Sequence, residues 1–369
     1  SPLVKSLAFT KFQVITTALI GSKGILLNLF DMMGNGIDDA WNYADMLAEI
    51  KPFVNKLLEN RLRMNHLRGI KILVDQDSAY TIHTDSGKKV EEMLPHEKNW
   101  ASLLSSYGFA TTILPVNQNT QIKDQTIAIS GQLLRNFTNK QIINLIQNNV
   151  ILLDGESINV LLDRGLGKLL HIKHAEWHPY RTAYQSFEQA DGSTVEGVKN
   201  PRITMLQHTG NYLKLDYEKD SDVTIWSSAY NSIDQKLGNV MAVIDKHIIV
   251  LPMDQDPKDG WKSQFTSYKQ GLLKQMLDSV KAVDYLIQMP NVKLNVQDDG
   301  KLVWLANFTL DGYSKIQWHL GNKLVHQKAK MIRINNGSFT SKYVNIHEKN
   351  GIATINEDIK PLETIQLIF

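Results

Sequence analysis

The sequence predicts an α/β protein with a doubly wound parallel sheet, followed by a small antiparallel β-sandwich. Between residues 69 and 154, apolar runs of strand length alternate with segments of helical periodicity. This alternation is typical of βαβ units and therefore of a parallel sheet. After Pro290, short runs of alternating polarity are separated by turn signals such as Asp298-Asp299-Gly300. Such turns favour antiparallel hairpins, so the last 80 or so residues are expected to form the sandwich.

The first element in chain order is a predicted α-β-α segment. Apolar residues recur at helical spacing over residues 3–20, and a nearly continuous apolar run at 25–31 has the length of a strand buried on both faces. A helix is predicted over 37–62, with Pro52 forcing a break or a new first turn. One strand between two helices cannot cover its own edges. We therefore expect this segment to belong to a larger sheet or barrel.

The next elements build the predicted parallel sheet. Four strands and two helices alternate in this part of the chain, and right-handed connections are expected between them. The strands are predicted at 69–77, 110–116, 125–130 and 150–154, and the helices at 96–109 and 139–149.

From about residue 171 to residue 252 the residue pattern predicts mainly β-strands, with turn signals at Gly210-Asn211 and Gly238-Asn239. A helix follows at 267–280. We expect this β-rich segment to be an insertion in the α/β domain.

Composition excludes several function classes. The chain has 369 residues, of which 43% are hydrophobic and 21% charged, and a formal net charge of +2, so charge indicates neither nucleic acid nor an anionic membrane as partner. The absence of cysteine excludes disulfides and a thiol nucleophile. No apolar run approaches the roughly 18–20 residues of a transmembrane helix, and the chain opens without a signal-peptide pattern. We expect a soluble bacterial protein, cytoplasmic, periplasmic or secreted, and a fragment or processed product.

The turn at residues 154–157 is the first candidate site. The sequence VILLDGES predicts a strand, a sharp turn and a helix, which is how some α/β enzymes present a nucleophile. In a functional interpretation, Glu156 or Ser157 would act or hold a ligand at the helix N-terminus. In the structural interpretation, Asp154 or Ser157 caps the helix and Gly155 is required by the backbone. We favour the capped, non-catalytic turn.

A second candidate is the segment HIKHAEWH, which contains His171, His174 and His178. Its spacing matches neither an H-E-x-x-H helix nor a zinc-finger pair. On a strand, His174, Glu176 and His178 share one face, and His171 points the other way. A polar sheet face is the favoured interpretation, with a metal site as the alternative.

A third candidate is the group Asn28, Asp31, Trp41 and Tyr43. Asn28 and Asp31 lie at the end of the predicted strand 25–31, where barrel enzymes hold their active sites. Aromatic rings beside polar groups are a usual way to bind a sugar, whose ring stacks while its hydroxyls form hydrogen bonds. Trp41 could equally be ordinary helix packing, and both interpretations remain open.

Three stretches together resemble a known family. FTKFQVITTALIGSKGILLNLFDMMG resembles the last α-β-α repeat of a glycosidase (β/α)8 barrel. RGIKILVDQD, with IAISGQLLRNFTNKQIINLIQNNVILLDGES further on, resembles the flavodoxin-like, amidotransferase-like domain that follows the barrel in family 42 β-galactosidases. The C-terminal β segment is similar to the sandwich that ends such proteins. The implied domains are 1–65, 66–288 and 289–369.

This resemblance implies a sugar-related function in which this chain has no catalytic residue. The acid/base and nucleophile carboxylates of such enzymes follow the fourth and seventh barrel strands, which lie upstream of this chain. The amidotransferase Cys is also absent. The resemblance further implies a homo-oligomer, no cofactor, and carbohydrate bound by the complete barrel. The alternatives are a non-enzymatic carbohydrate-binding or oligomerisation module, and a metal-dependent hydrolase that uses the three histidines.

Overall fold

A computed structural model describes most of the chain. The described residues are 6–22, 24–26, 43–84, 87, 90–97, 99–179, 182–192, 197–204, 211–252, 266–322, 327–335 and 338–369. Most of the predicted strand 25–31 lies outside these residues. The same holds for Asn28, Asp31 and Trp41 of the predicted sugar-binding group.

Apart from the short helix α3, which the sequence did not predict, the helices of the described residues lie within or overlap the predicted segments. Pro52 is an exception, because it lies inside α2 and the predicted break there is wrong. Helices α1 to α7 are Leu7–Leu19, Tyr43–Leu57, Ser78–Thr81, Asn99–Ser106, Asn139–Gln147, Gly155–Asp163 and Ser267–Val280.

Twenty strands, β1 to β20, are found in the described part of the chain. They are Ile70–Val74, Thr111–Pro115, Thr126–Ile129, Val150–Asp154, Ile172–Pro179, Tyr184–Phe187, Arg202–Thr204, Asn211–Tyr217, Val223–Tyr230, Lys236–Ile244, Ile248–Leu251, Tyr285–Leu286, Val292–Val296, Leu302–Asn307, Ile316–His319, Lys328–Asn335, Ser338–Asn345, His347–Lys349, Ile352–Ile355 and Glu363–Ile368.

The largest sheet is mixed, whereas the sequence predicted a parallel one. Its order is β2-β1-β3-β4-β11-β10-β9-β6-β7. The strands from β2 to β11 pair in parallel, and the remaining pairs are antiparallel. The β-rich insertion therefore extends the parallel sheet through five of its strands, β6, β7, β9, β10 and β11. Its strands β5 and β8 pair with each other in a separate two-stranded sheet.

A tight turn explains why β10 and β11 of this insertion are antiparallel. The chain reverses between β10 and β11 at Asp245 and Lys246, both of which have positive φ angles, as a type I′ hairpin turn requires. The turn predicted at Gly238-Asn239 is wrong, because Gly238 lies inside β10 beside a register shift. A glycine in a strand pattern marks a bulge as often as a turn.

Contacts divide the chain into two compact units. The terminal unit contains Ser1–Gly69, Gly108–Ala110 and Asp284–Phe369, and the central unit contains Ile70–Tyr107 and Thr111–Val283. The predicted domain boundaries at 65 and 288 remain a prediction.

The central unit has one main apolar core. The side chains of β3 are buried throughout, and those of β4 nearly so, as expected for strands covered on both faces. Helices α5 and α6 contribute Ile142, Ile158 and Leu161 to this core. Burial at this density positions the carboxyl ends of the strands rigidly.

The terminal unit contains two antiparallel sheets, β12-β15-β19-β18 and β13-β14-β20-β16-β17. One core cluster includes Trp318 from the first sheet and Leu305 from the second. A second cluster joins Phe12 and Leu19 of α1 to Trp304 of β14. Among the residues with described positions, none of the helices has the length and apolarity needed to cross a membrane.

Candidate functional site at the carboxyl edge of the parallel strands

The predicted turn at 154–157 is a helix cap closed by its own hydrogen bonds. Asp154 ends β4 and is fully buried. Its Oδ1 accepts the Ser157 N–H at 2.8 Å, which makes it the N-cap of α6. Its Oδ2 accepts the Gly131 N–H at 3.1 Å, from the loop after β3. Asp154 thus ties the carboxyl ends of two neighbouring strands together.

The Ser157 hydroxyl is also hydrogen-bonded within the protein. Its side chain is fully buried. Its Oγ lies within donating distance of two backbone carbonyls, those of Ile129 at 3.1 Å and Gly131 at 3.0 Å. A nucleophilic serine needs its hydroxyl directed toward a base and toward a substrate. Among the described residues, the Ser157 hydroxyl is directed instead toward the backbone carbonyls of Ile129 and Gly131.

Gly155 does not have the backbone conformation that we expected to require glycine. It is the first residue of α6 and is absent from the described glycines with positive φ. A helical φ is available to any residue except in special contexts, so this part of the structural interpretation is wrong.

Glu156 makes the most open contact of this turn. Its Oε2 lies 3.2 Å from Nδ1 of His96, and the two side chains are 18% and 20% exposed. A carboxylate that orients a histidine is part of many acid–base sites. The sequence did not indicate His96, because it is 60 residues away and precedes a helix.

A buried polar cluster lies at the end of β1, next to this turn in the central unit. Glu97 is 6% exposed; its Oε1 accepts from the Ser78 hydroxyl, and its Oε2 accepts the Asp75 N–H at 3.0 Å. Asn136 donates to Ser78 Oγ at 3.0 Å. Burial raises the pKa of the Glu97 carboxyl above its usual value, against the opposing effect of the Ser78 hydrogen bond.

This cluster was missed by sequence reasoning, although one signal pointed to it. The polar run Asp75-Gln76-Asp77-Ser78 directly follows the apolar strand β1. Parallel α/β sheets bind ligands beyond the carboxyl ends of their strands, where the strand order reverses. In this sheet β2 lies on one side of β1 and β3 lies on the other, so the strand order reverses between β1 and β3. The reversal point is therefore filled by Ser78, Glu97 and Asn136.

The candidate metal residues are only partly brought together. His178 Nε2 lies 2.8 Å from Glu176 Oε1, and His174 Nε2 lies 4.0 Å from Glu176 Oε2. His171 instead contacts Asp245 through Nε2 at 2.8 Å. The hydrogen bond from His178 lowers the pKa of the exposed Glu176 carboxyl.

Lys214 also approaches Glu176, at 3.4 Å on the facing strand β8. An ammonium group competes with a cation for the carboxylate. Within the described residues, no group of three or more His, Asp or Glu side chains is arranged to hold a metal ion. The arrangement corresponds to a charged strand face.

The predicted sugar-binding group is largely outside the described residues. Asn28, Asp31 and Trp41 fall there, and of Tyr43 only the backbone is described, as the first residue of α2.

The fold is glycosidase-like, since its mixed α/β sheet and antiparallel sheets are similar to those of glycoside hydrolases. α-L-Fucosidase isoenzyme 2 from Paenibacillus thiaminolyticus matches with a TM-score of 0.57 at 9% identity, covering 99% of this chain and 58% of the fucosidase. Gan42B, a GH42 β-galactosidase from G. stearothermophilus, matches with a TM-score of 0.51 at 8% identity, covering 96% of this chain and 51% of the galactosidase.

This chain therefore spans between half and three-fifths of the length of those two enzymes. At such identities the likeness concerns the fold alone. No family model and no curated protein matches the sequence.

Proposed function

We propose that this chain is the C-terminal portion of a family 42-like glycoside hydrolase and does not hydrolyse glycosides by itself. The observation that supports the parent enzyme is the glycosidase-like fold, in which this chain covers 58% of a fucosidase and 51% of a GH42 β-galactosidase. The closed turn at Asp154 and Ser157, whose polar side-chain atoms bond to the backbone, supports the absence of chemistry at that turn. A retaining glycosidase needs two carboxyl groups about 5 Å apart and facing one open site. In this proposal both belong to a barrel outside this chain.

The central unit is proposed to be an amidotransferase-like scaffold without chemistry. The order β2-β1-β3-β4 of its parallel strands is the order of flavodoxin-like sheets. The chain has no cysteine, so the nucleophile of an amidotransferase is missing. A scaffold of this kind suits subunit contact, and we propose that the protein is a homo-oligomer.

Hydrolysis assays test the main proposal. The purified chain is incubated with p-nitrophenyl β-D-galactopyranoside and p-nitrophenyl α-L-fucopyranoside. No release above a protein-free blank is expected, whereas the product of the longer reading frame is expected to cleave one of them. Hydrolysis that co-purifies with this chain would refute the proposal, and its loss in Ser157→Ala would assign the catalysis to the turn.

The remaining elements of the proposal have their own tests. In the longer protein, Asn28, Asp31, Trp41 and Tyr43 are proposed to line the sugar site. Trp41→Ala should then raise KM with the fold intact, because it removes a stacking surface. Light scattering after size exclusion should give a multiple of 41.9 kDa for this chain, and a monomer at all concentrations would contradict the proposed oligomer.

The alternative is a carbohydrate-binding or oligomerisation module with no enzymatic parent. Its distinguishing feature would be the reading frame upstream of Ser1. About seven further βα segments there support the glycosidase, and a frame without them supports the module.

A further inference from the structure

A cavity of about 430 Å³ lies in the central unit between the loop that follows β2 and helix α5. Its volume is within the range of small-molecule sites. The cavity is separate from the turn at 154–157 and from the Glu97 cluster, neither of which contributes a lining residue.

The floor of the cavity is apolar and rigid. It is made by Leu73, Val116, Ile122, Phe137 and Leu145, all of which are buried members of the main core of the central unit. Phe137 adds an aromatic ring that is 8% exposed. A floor of this type can contact the C–H face of a ligand.

The rim of the cavity carries side-chain amides. Gln118, Asn119 and Gln121 come from the loop and are exposed, and Asn144 comes from α5 and is also exposed. Lys140 is the single charged residue of the lining. Each amide offers an N–H donor and a carbonyl acceptor side by side.

Hydrogen bonds hold the two walls at a fixed separation. Gln141 accepts the Thr138 N–H through Oε1 at 2.8 Å, and its Nε2 donates to the Gln118 carbonyl across the cavity. At the far end, Asn149 Nδ2 donates to the Ile122 carbonyl at 2.9 Å, and its Oδ1 accepts the Gln125 N–H at 3.0 Å. A preformed site loses less entropy on binding.

The loop wall is also ordered internally. Asn117 Oδ1 accepts the Asn119 N–H at 2.9 Å, and Thr120 Oγ1 accepts the Asn117 N–H at 3.0 Å. This turn keeps the side chains of Gln118 and Asn119 at the rim. On the helix wall, Asn148 Nδ2 donates to Asn144 Oδ1 at 2.8 Å, which leaves the NH₂ end of Asn144 as the donor.

We propose that this cavity binds a neutral mono- or disaccharide. Amide pairs match the donor and acceptor geometry of neighbouring hydroxyls, while the apolar floor matches a sugar face. A phosphorylated ligand would need more than one cation. This inference rests on the proposed function in that it assumes a carbohydrate-processing parent, and it assigns the chain a sugar site distinct from the barrel.

A matched pair of tryptophan substitutions tests the proposal. Asn144 lines the cavity, whereas Gln147 is exposed one turn further along the same helix and does not line it. Binding of D-galactose and of β-1,4-galactobiose to the intact chain is measured by calorimetry. Asn144→Trp should weaken the affinity by at least about tenfold by filling the cavity, and Gln147→Trp should stay within about twofold of the wild-type protein.

A milder variant separates occlusion from lost hydrogen bonding. Asn144→Ala removes one amide, and affinity should fall by about fivefold, as expected for one neutral hydrogen bond. Circular dichroism and the unfolding midpoint of each variant establish that it is folded.

The outcomes distinguish this inference from the proposed function. Failure of both sugars to bind the wild-type chain, equal affinity in all variants, or equal loss in Asn144→Trp and Gln147→Trp would overturn the cavity proposal and leave the hydrolysis assays unaffected. Hydrolysis by this chain alone would overturn the proposed function and leave the cavity proposal standing.

Discussion

Replacing Asp154 by alanine should destabilise the central unit strongly. The substitution removes the N-cap of α6, which is worth about 0.5–2 kcal/mol. It also leaves the buried Gly131 N–H without its acceptor, which costs about 1–3 kcal/mol because Gly131 is buried and Asp154 is fully buried. The sum is about 3 kcal/mol, which corresponds to a Tm decrease of about 6–12 °C for a unit of this size.

Urea unfolding followed by circular dichroism measures this loss. Two comparison variants separate its components. Asp154→Ser keeps a capping oxygen but is too short to reach Gly131, so it should recover only the cap. Thr138→Ala removes the exposed cap of α5, whose Oγ1 accepts the Gln141 N–H at 3.3 Å. It should therefore cost about 1 kcal/mol.

The structural role of Asp154 would be refuted by a small effect. If Asp154→Ala lowers the free energy of unfolding no more than Thr138→Ala does, the hydrogen bond to Gly131 contributes no stability. The carboxyl ends of β3 and β4 would then be held together by other contacts. If Asp154→Ala abolishes an activity of the longer protein at unchanged stability, the turn is catalytic.

Three further predictions follow from buried charge and amide groups. Arg333→Met should lower the free energy of unfolding by about 3–5 kcal/mol, because it leaves the buried carboxylate of Glu363 without its ion-pair partner. This carboxylate is 2% exposed and accepts hydrogen bonds from two guanidinium nitrogens at 2.9 and 2.7 Å. The double variant Arg333→Met with Glu363→Met should recover most of this loss in urea, and an equal loss would contradict the reasoning. Burial raises the pKa of Glu97 above 4.5, so the stability it contributes is complete below pH 4.5 and is lost as pH rises through the folded-state pKa. Glu97→Gln should therefore flatten the dependence of stability on pH above pH 4.5, and an unchanged slope would mean that another group causes this dependence. Asn149→Ala removes three side-chain hydrogen bonds and should lower the free energy of unfolding by about 2–4 kcal/mol. It should also weaken galactose binding, and an unchanged affinity would mean that other contacts hold the loop after β2 in place.

The parallel part of the fold could be predicted from the sequence because its signals are local. The strands β3 and β4 are short apolar runs bounded by polar residues, and their side chains are buried. Asp154 precedes a helical pattern and caps it, as the structural interpretation of this turn expected. These features depend on neighbours within a few residues, so one sequence is sufficient.

The mixed character of the sheet could not be predicted in this way. The β-rich insertion has the alternation of any antiparallel segment, and nothing in its residues says whether it forms its own sheet or extends another. The pairing of β11 with β4 joins residues about 100 apart. Gly238 was interpreted as a turn because a bulge and a turn share the same local signal.

The polar groups at the strand ends were hidden from sequence reasoning for the same physical reason. Glu97 reaches Asp75 and Ser78 only after the chain has folded, and its neighbours in sequence carry no sign of burial. The residues that looked most like a metal site, His174 and His178, bind an exposed carboxylate on the surface of a strand. The histidines that suggested a metal site are exposed or partly exposed, while the buried contacts of Glu97 involve residues with no motif.

The hydrogen-bonded turn at the carboxyl edge of the parallel strands and the cavity beside α5 together indicate where the central unit could bind a ligand. At the point where parallel sheets usually bind ligands, this protein places Asp154, Ser157 and Glu97, each satisfied by internal hydrogen bonds. Opening that edge for a substrate would leave several buried polar groups without partners, at about 1–3 kcal/mol each. A ligand therefore binds at lower cost beside the edge strand β2, where the rim amides are exposed and the walls are already fixed by Gln141. If the parent enzyme contacts sugar through this unit, the contact should be at Asn144 and not at Asp154.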